Sequence, residues 1–145
     1  MASHAIRPDD ELIATRLIRA SLASTEWSTA LVSNRLTKRP DGAEVAPDED
    51  FAVIVRSDGG SSMELPTFSC RLGIRVIGPD GDDNHMRTGA LARRVSAALS
   101  AAAELTTEVA NTVATFGPYR VETELSRPEC YLTAELVLVG APITL

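Results

Sequence analysis

The chain has 145 residues, of which 44% are hydrophobic, and its 20 acidic and 14 basic residues give a formal net charge of −6. A chain of this length can bury about two thirds of its unfolded surface, which is enough for a single domain with one core. The acidic balance argues against a surface built to hold nucleic acid. The sequence has neither an apolar run of about 18 residues nor a secretory signal pattern. We therefore expect a protein without membrane contact that is made and used in a cytoplasm or released by lysis.

The first predicted element is a helix. The stretch Arg7–Glu11 combines a proline with three acids, which is typical of a helix start, since proline tolerates the first turn and negative charge opposes the helix dipole. An apolar stripe then continues to about Ser24. Residues 1–7 are predicted to be mobile. Ala30–Thr37 follows as a short strand of mixed polarity, which indicates a sheet edge or an element partly covered by another subunit.

A long acidic loop is predicted for residues 38–50. It contains two prolines, one glycine and five acids, which are Asp41, Glu44, Asp48, Glu49 and Asp50. Loops of this length inside compact domains tend to be functional or to become ordered on a partner. A plain solvated surface loop fits the same composition, and both interpretations stay open.

Two strands and a turn are predicted next. Phe51–Arg56 is apolar, residues 57–61 form a glycine-rich turn, and Thr67–Ile77 alternates apolar and polar residues with a period of two. Because of this alternation, one face of the second strand packs on a core, whereas Arg71 and Arg75 project from its other face.

The most strongly patterned helix is predicted for Asp82–Ala103. Its apolar positions recur at helical spacing and form a single stripe, which consists of Leu91, Val95, Ala98, Leu99 and Ala102. Asp82, Asp83 and Asn84 at its start would cap free N–H groups. The helix must lie on a flat apolar surface, which we expect to be the covered face of the sheet.

The remainder of the chain is predicted to be strands. Thr107–Thr115 and Tyr119–Leu125 are two segments of one long strand, interrupted at Gly117–Pro118 because proline removes a backbone donor and requires an edge or a bulge. Cys130–Val139 is the last strand. The predicted fold is α+β, with a mostly antiparallel sheet of four to five strands, a long helix packed on one face and an N-terminal helix, in the order α-β-β-β-α-β-β. Residues 1–145 form one domain.

The residues give little support for catalysis. Three oxygen-bearing residues from Asp80 onward have the spacing that opens a calcium loop, but the required glycine and bidentate acid are replaced by His85 and Leu91. Neither a nucleophile elbow nor a phosphate-binding glycine loop occurs. Cys70 and Cys130 fall on the apolar sides of their strands, which favours buried free thiols over a disulfide. We predict a protein that is not an enzyme and has no cofactor or metal.

Charged residues on the sheet and on the long helix are the remaining candidates for a site. Arg71 and Arg75 would pair with acids of neighbouring strands or of another subunit. Arg87 and Arg94 flank the apolar stripe beside small alanines, where another element could approach closely, although a solvated helix face fits as well. The candidate interface residues are Arg71, Arg75, Arg87, Arg94, Glu122, Glu124, Glu135, Asp48, Glu49 and Asp50.

A family resemblance covers nearly the whole chain. The stretches that carry it are Ala30–Leu36, Phe51–Gly60, Ala90–Val95, Phe116–Arg120 and Tyr131–Leu136. Together with the order of the elements and the Gly-Gly hairpin after the second strand, they resemble the tail terminator (tail-completion) proteins of long-tailed, non-contractile bacteriophages. The acidic loop of residues 38–50 is longer than in that pattern.

The resemblance implies a structural virion protein of the tail neck, assembled in the host cytoplasm. It would form a homohexameric ring that caps the tail tube, ends its polymerisation and joins the tail to the head. Its partners would be copies of itself, the major tail tube protein and a head-closure or connector protein, and the genome would pass through the lumen without specific binding. An acidic protein is suitable for lining such a lumen because it does not bind the phosphates of DNA tightly.

Two alternatives stay open. One is another neck component, such as a head-closure or adaptor protein. The other is a small host-encoded ligand-binding module, which is disfavoured because aromatic residues make up only 4% of the chain.

Overall fold

The structure, a computed structural model, describes residues 4–35, 50–64, 66–81, 84–122 and 127–143. The fold of these residues is α+β, as predicted. The elements in chain order are β1 (Ala5–Ile6), α1 (Asp10–Leu22), β2 (Leu31–Ser33), β3 (Ala52–Ser57), β4 (Thr67–Ile77), α2 (Asn84–Ser100), α3 (Ala102–Leu105), β5 (Val109–Val121), β6 (Glu129–Val139) and β7 (Ala141–Pro142).

The central feature is a mixed sheet, to which the described ranges contribute five strands in the order β2-β3-β4-β6-β5. The pairs β3–β4, β4–β6 and β5–β6 are antiparallel, so the sheet is mostly antiparallel, as predicted. The pair β2–β3 is parallel, which the predicted sheet did not include. β6 lies between β4 and β5 although it follows both in sequence, so β2 and β5 form the two edges. The strand predicted for Ala30–Thr37 is the shorter β2, Leu31–Ser33, and it lies at an edge, which was one of the two interpretations of its mixed polarity.

Both longer helices cover the same face of the sheet. α2 packs against β4, β5 and β6, and α1 packs against β2, β3 and α2. All five apolar positions predicted for the long helix are buried, and so are the even-numbered residues of β4 from Phe68 to Val76 and of β6 from Cys130 to Leu138. The alternation read from the sequence therefore places the core between the helices and one face of the sheet.

The first helix has the predicted acidic start. The Asp9 carboxylate accepts a hydrogen bond of 3.1 Å from the Leu12 N–H, which satisfies one of the free donors of the first turn. The helix ends at Leu22, two residues before the predicted end at Ser24. The Thr25 hydroxyl donates to the Leu22 carbonyl at 2.7 Å and so satisfies one of the free acceptors at this end.

The single helix predicted for residues 82–103 is two helices in the structure. Ala101 separates α2 from α3, with φ −95° and ψ 10°. Close to this break, the Leu99 carbonyl accepts a hydrogen bond of 2.7 Å from the Thr112 hydroxyl of β5. Asp82 and Asp83 lie outside the described residues. Asn84 is the first helical residue, and its side-chain amide donates to the Asp80 carbonyl at 3.1 Å instead of capping the helix.

The strand predicted as two segments is one strand, β5. Gly117 has φ +88°, the Gly117–Pro118 peptide bond is cis, and the pairing with β6 shifts register between Phe116 and Tyr119. Both the edge position and the irregularity expected from the proline are present. Residues 123–125 of the second predicted segment lie outside the described residues.

The two ends of the described chain meet beside the sheet. β1 pairs antiparallel with β7, and the Arg7 guanidinium donates to the Ser69 carbonyl at 3.0 Å. Residues 5–7 thus contact the rest of the fold, residues 1–3 lie outside the described residues, and the mobility of residues 1–7 stays a prediction. Residues 36–49, which include most of the predicted acidic loop, lie outside the described residues. Within the described ranges, no helix is both long and apolar enough to cross a membrane.

Leu99 provides a test of the core. Leu99 belongs to α2, and its side chain is fully buried in the main core cluster. Leu99→Ala should therefore lower the free energy of unfolding by about 2–5 kcal/mol, because it removes buried apolar surface and leaves a cavity. Leu105→Ala is the matched control, because Leu105 is 56% exposed, and its effect should stay below about 1 kcal/mol. Urea denaturation followed by circular dichroism measures both, and equal losses would contradict the packing described.

Candidate functional site

The sheet face away from the helices is the first candidate surface. It is called the open face below and consists of Arg71, Gly73, Arg75, Phe116, Tyr119, Tyr131, Thr133 and Glu135 of strands β4, β5 and β6. These residues point away from the core because they alternate with the buried residues of the same strands. The projection of Arg71 and Arg75 from this face is confirmed.

Both predicted arginines of the open face pair with acids of the same sheet. The Nε of Arg71 lies 3.0 Å from the Oε1 of Glu135, directly across the β4–β6 pairing. The Nη2 of Arg75 lies 2.6 Å from the Oε1 of Glu129, an acid that was not among the predicted partners. Within one subunit, cross-strand pairing therefore accounts for both arginines. Such exposed pairs stabilise a sheet by about 0.2–1 kcal/mol each.

The two candidate arginines of the long helix also contact their own chain. Arg87 forms an ion pair of 3.2 Å with Glu26, and its guanidinium carbon lies 4.9 Å from the centre of the Phe51 ring. Arg94 donates to the Ser21 carbonyl at 3.0 Å. Both side chains thus connect α2 to α1 or to the segment that follows it. Sequence spacing alone could not identify these partners, because they are 61 and 73 residues away.

The other candidate residues are less informative. Glu122 is exposed just beyond the end of β5. Asp50 is half-buried, and its backbone carbonyl accepts a hydrogen bond of 2.8 Å from Arg127. Asp48, Glu49 and Glu124 lie outside the described residues. The structure therefore does not bring the ten candidates together at one place.

An apolar groove runs between α1 and the α2–α3 pair. Its volume is about 520 Å³, and its lining includes Ala97 and Ala101, the small residues for which a close approach was predicted. An ion pair of 3.7 Å between Arg16 and Glu108 borders it. The groove has room for a small apolar group, but the described residues give no indication of what would occupy it.

The edge strand β5 carries a feature that residue types alone did not identify. Three of its large hydrophobic side chains are at least half exposed, namely Val113 (58%), Phe116 (50%) and Tyr119 (58%). Within the described ranges no strand pairs with the outer side of β5. The sequence signal was the pair of aromatic residues around Gly117–Pro118, which was interpreted as the interruption of a strand.

The cysteines are buried free thiols, as predicted. Burial, together with the smaller effect of the nearby Asp10 carboxylate, raises the pKa of Cys70 to about 11. Burial also raises the pKa of Cys130, against the opposing effect of Arg120 and Arg93. Because the thiolate is the reactive form, both side chains are weak nucleophiles near neutral pH. In the part of the chain that the structure describes, no group of three or more His, Cys, Asp and Glu residues is placed to hold a metal ion.

Comparisons with known proteins add no family assignment. No model of a known protein family matches the chain, and no curated protein is significantly similar to it.

The Arg71–Glu135 pair can be measured by a double-mutant cycle. Arg71→Ala, Glu135→Ala and the double variant should give a coupling free energy of about 0.2–1 kcal/mol, because the pair is direct but largely exposed. The coupling should shrink in 1 M NaCl, where charges are screened within about 3 Å. Chemical denaturation at low protein concentration measures it. A coupling that does not change with salt would show that the two residues interact by packing instead of charge.

The Cys70 thiol makes the free energy of unfolding depend on pH in the alkaline range. The pKa of this thiol is raised from 9.0 to about 11 in the folded state, so the unfolded chain loses the proton first as the pH rises. The contribution of the protonated thiol to stability is therefore complete below pH 9 and is lost between about pH 9 and 11. The stability advantage of the wild type over Cys70→Ala should therefore shrink across this range. Urea denaturation of both proteins at pH 7, 8, 9, 10 and 11 measures it. The advantage should be constant between pH 7 and 8, and constancy up to pH 11 would contradict the shift.

Proposed function

We propose that the protein is a tail terminator, a structural virion protein that forms a ring with copies of itself, caps the tail tube and joins the tail to the head. The proposal starts from the resemblance of the five sequence stretches to that family. The α+β fold supports it, because the helices cover one face of the sheet and β4, β5 and β6 expose side chains on the other.

The observation that carries the proposal is the edge strand β5. It is thirteen residues long, and it exposes both a row of backbone groups and the side chains of Val113, Phe116 and Tyr119. A long apolar edge strand readily pairs with other chains. Proteins usually avoid this by keeping edge strands short, by placing charges on them, or by covering them with another element. A closed ring removes the exposed edge, since each copy covers the edge of its neighbour.

The chemistry of these side chains also favours a protein partner. Aromatic residues are enriched at the buried centres of protein interfaces and supply much of their binding free energy. Phe116 and Tyr119 lie on the open face on either side of Gly117–Pro118. A neighbour that covers the edge would bury both rings together with part of the open face.

The net charge is compatible with a channel for DNA. With 20 acidic and 14 basic residues, the chain repels phosphate overall, and on the open face Arg71 is balanced by Glu135. A protein that neutralises few phosphates releases few counterions and binds DNA weakly. A ring of such subunits would let the genome pass without holding it.

Another neck component, such as a head-closure or adaptor protein, could use the same edge to form a ring. The partner distinguishes the two assignments. A tail terminator should sediment with assembled tail tubes, whereas a head-closure or adaptor protein should bind the portal side.

The assembly itself is tested with native mass spectrometry across a range of protein concentrations and with electron microscopy of the particles. We expect a hexamer as the closed form and rings at the ends of tails. A strict monomer at every concentration, together with absence from virus particles, would contradict the proposal.

Variants of the edge strand test the observation that carries it. The double variant Phe116→Ser/Tyr119→Ser should weaken self-association at least about tenfold, because two aromatic side chains leave the interface. Its thermal stability should change little, because both rings are about half exposed in the single subunit. Leu12→Ser is the matched control, since Leu12 is similarly exposed (45%) but lies on α1. Sedimentation velocity measures association, and unchanged association of the double variant would exclude this edge as the interface.

A further inference from the structure

A small basic cleft lies on the helix side of β5, next to the exposed edge. It is formed by the start of α2, by β5 and by the beginning of β6, and has a volume of about 290 Å³. His85 and Arg93 of α2 and Arg120 of β5 line it, and so do Met86 and Glu129. It is called the basic cleft below.

The two arginines of the basic cleft have no acidic partner among the described residues. The Nη2 of Arg120 lies 3.3 Å from the Nδ1 of His85, and because a guanidinium can only donate, the imidazole nitrogen accepts. Glu129 is the acid in the cleft, and its carboxylate is already bound by Arg75 at 2.6 Å. Among the described residues, the cleft therefore carries more positive than negative charge, in a chain of net charge −6.

Most other arginines of the described chain contact an oxygen atom of their own subunit. Arg71, Arg75 and Arg87 have carboxylate partners, and Arg94 and Arg127 have carbonyl partners. The long arginine side chain readily reaches such partners when they are available. Two arginines that line one cleft without such a partner among the described residues can bind an oxygen-bearing anion from outside the subunit.

We infer that the basic cleft receives a carboxylate side chain from a neighbouring copy of this chain. The inference rests on the proposed ring and names a surface of it. Exposed carboxylates that form no ion pair among the described residues are available on each copy, and they include Glu64, Asp80, Glu104 and Glu122. Charge complementarity of this kind fixes the orientation of one subunit against the next.

A protein carboxylate fits the basic cleft better than the phosphates of a nucleic acid. Met86, which is 83% exposed, lies in the cleft, and methionine together with arginine and tyrosine is enriched at protein interfaces. Nucleic acid binding without sequence preference depends on many phosphate contacts, whereas two arginines beside Glu129 offer few. The acidic balance of the chain opposes a polyanion further.

The basic cleft is continuous with the edge proposed as the interface. Tyr119 and Arg120 are adjacent in β5, and their side chains point to opposite faces of the sheet. A neighbour that covers the edge would therefore contact Tyr119 on the open face and Arg120 on the helix side. The contact with Tyr119 would bury apolar surface, and the contact with Arg120 would add an interaction between charges.

The test is the double variant Arg93→Gln/Arg120→Gln, which removes both charges and keeps side chains that can form hydrogen bonds. Self-association of the full chain, measured by sedimentation velocity at 50 and 300 mM NaCl, should weaken at least about tenfold, as expected when charge-assisted hydrogen bonds are lost. Association of the wild type should fall with salt more steeply than that of the variant. The control is Arg16→Gln, an exposed arginine of α1 that pairs with Glu108 outside the basic cleft. Thermal unfolding of all three proteins checks that they are folded.

The outcomes separate this inference from the proposed function. If the wild type assembles and Arg93→Gln/Arg120→Gln assembles equally well, the cleft is not part of the interface, while the ring proposal stands. If the wild type never assembles, the ring proposal itself is contradicted. Fluorescence anisotropy with a labelled 20-base-pair DNA duplex covers the remaining ligand: binding by the wild type that is lost in the double variant would overturn the inference in favour of phosphate.

Discussion

The structure depends on the fact that its helices cover only one face of the sheet. In β4 and β6 every even-numbered residue from Phe68 to Val76 and from Cys130 to Leu138 is buried, so the odd-numbered residues are left to the opposite side. Because the period of a strand is two, a one-residue shift would exchange the faces, and the burial of one set fixes the face to which the other set points. The Arg71–Glu135 pair is a consequence of this constraint, since charged side chains on the open face can pair only across the strands or with another molecule.

Among the described residues, the two edges of the sheet differ in length and in exposure. β2 has three residues, and its Leu31 belongs to a second buried cluster with Ala52, Ile54 and Ile77 at the β2–β3 end of the sheet. β5 has thirteen residues, few of which are buried, although Thr112 and Thr115 contact the end of α2. Backbone groups and apolar side chains are therefore exposed mainly at one edge. A partner that completes the sheet would gain most by covering β5, whereas the short β2 offers little backbone for pairing.

Local periodicity predicted the parts of the fold that depend on near neighbours in sequence. The limits of β4 and the buried stripe of α2 followed from spacing alone, because each pattern must present one apolar face. The parallel β2–β3 pair and the insertion of β6 beside β4 are non-local and left no comparable signal. The break at Ala101 was missed because alanine favours helix, whereas the hydrogen bond from Thr112 to Leu99 is tertiary. The partners of the long arginine side chains also could not be predicted from sequence spacing. The exposure of the aromatic rings beside Gly117–Pro118 was not predicted, because this stretch was interpreted only as an interruption of a strand.

In the proposed ring, long-range charge repulsion would oppose assembly, whereas charge contacts at short range would direct it. A net charge of −6 repels like copies at long range, but at physiological ionic strength this repulsion is screened beyond about 8 Å. At contact, Arg93 and Arg120 make the surface next to β5 more positive, because neither has an ion-pair partner among the described residues. The free energy gained by burying Phe116 and Tyr119 depends little on orientation, whereas hydrogen bonds from arginine guanidinium groups to a carboxylate require a specific geometry. The combination of the two is what a closed ring requires, because each subunit must be held at a single angle to the next for the ring to close.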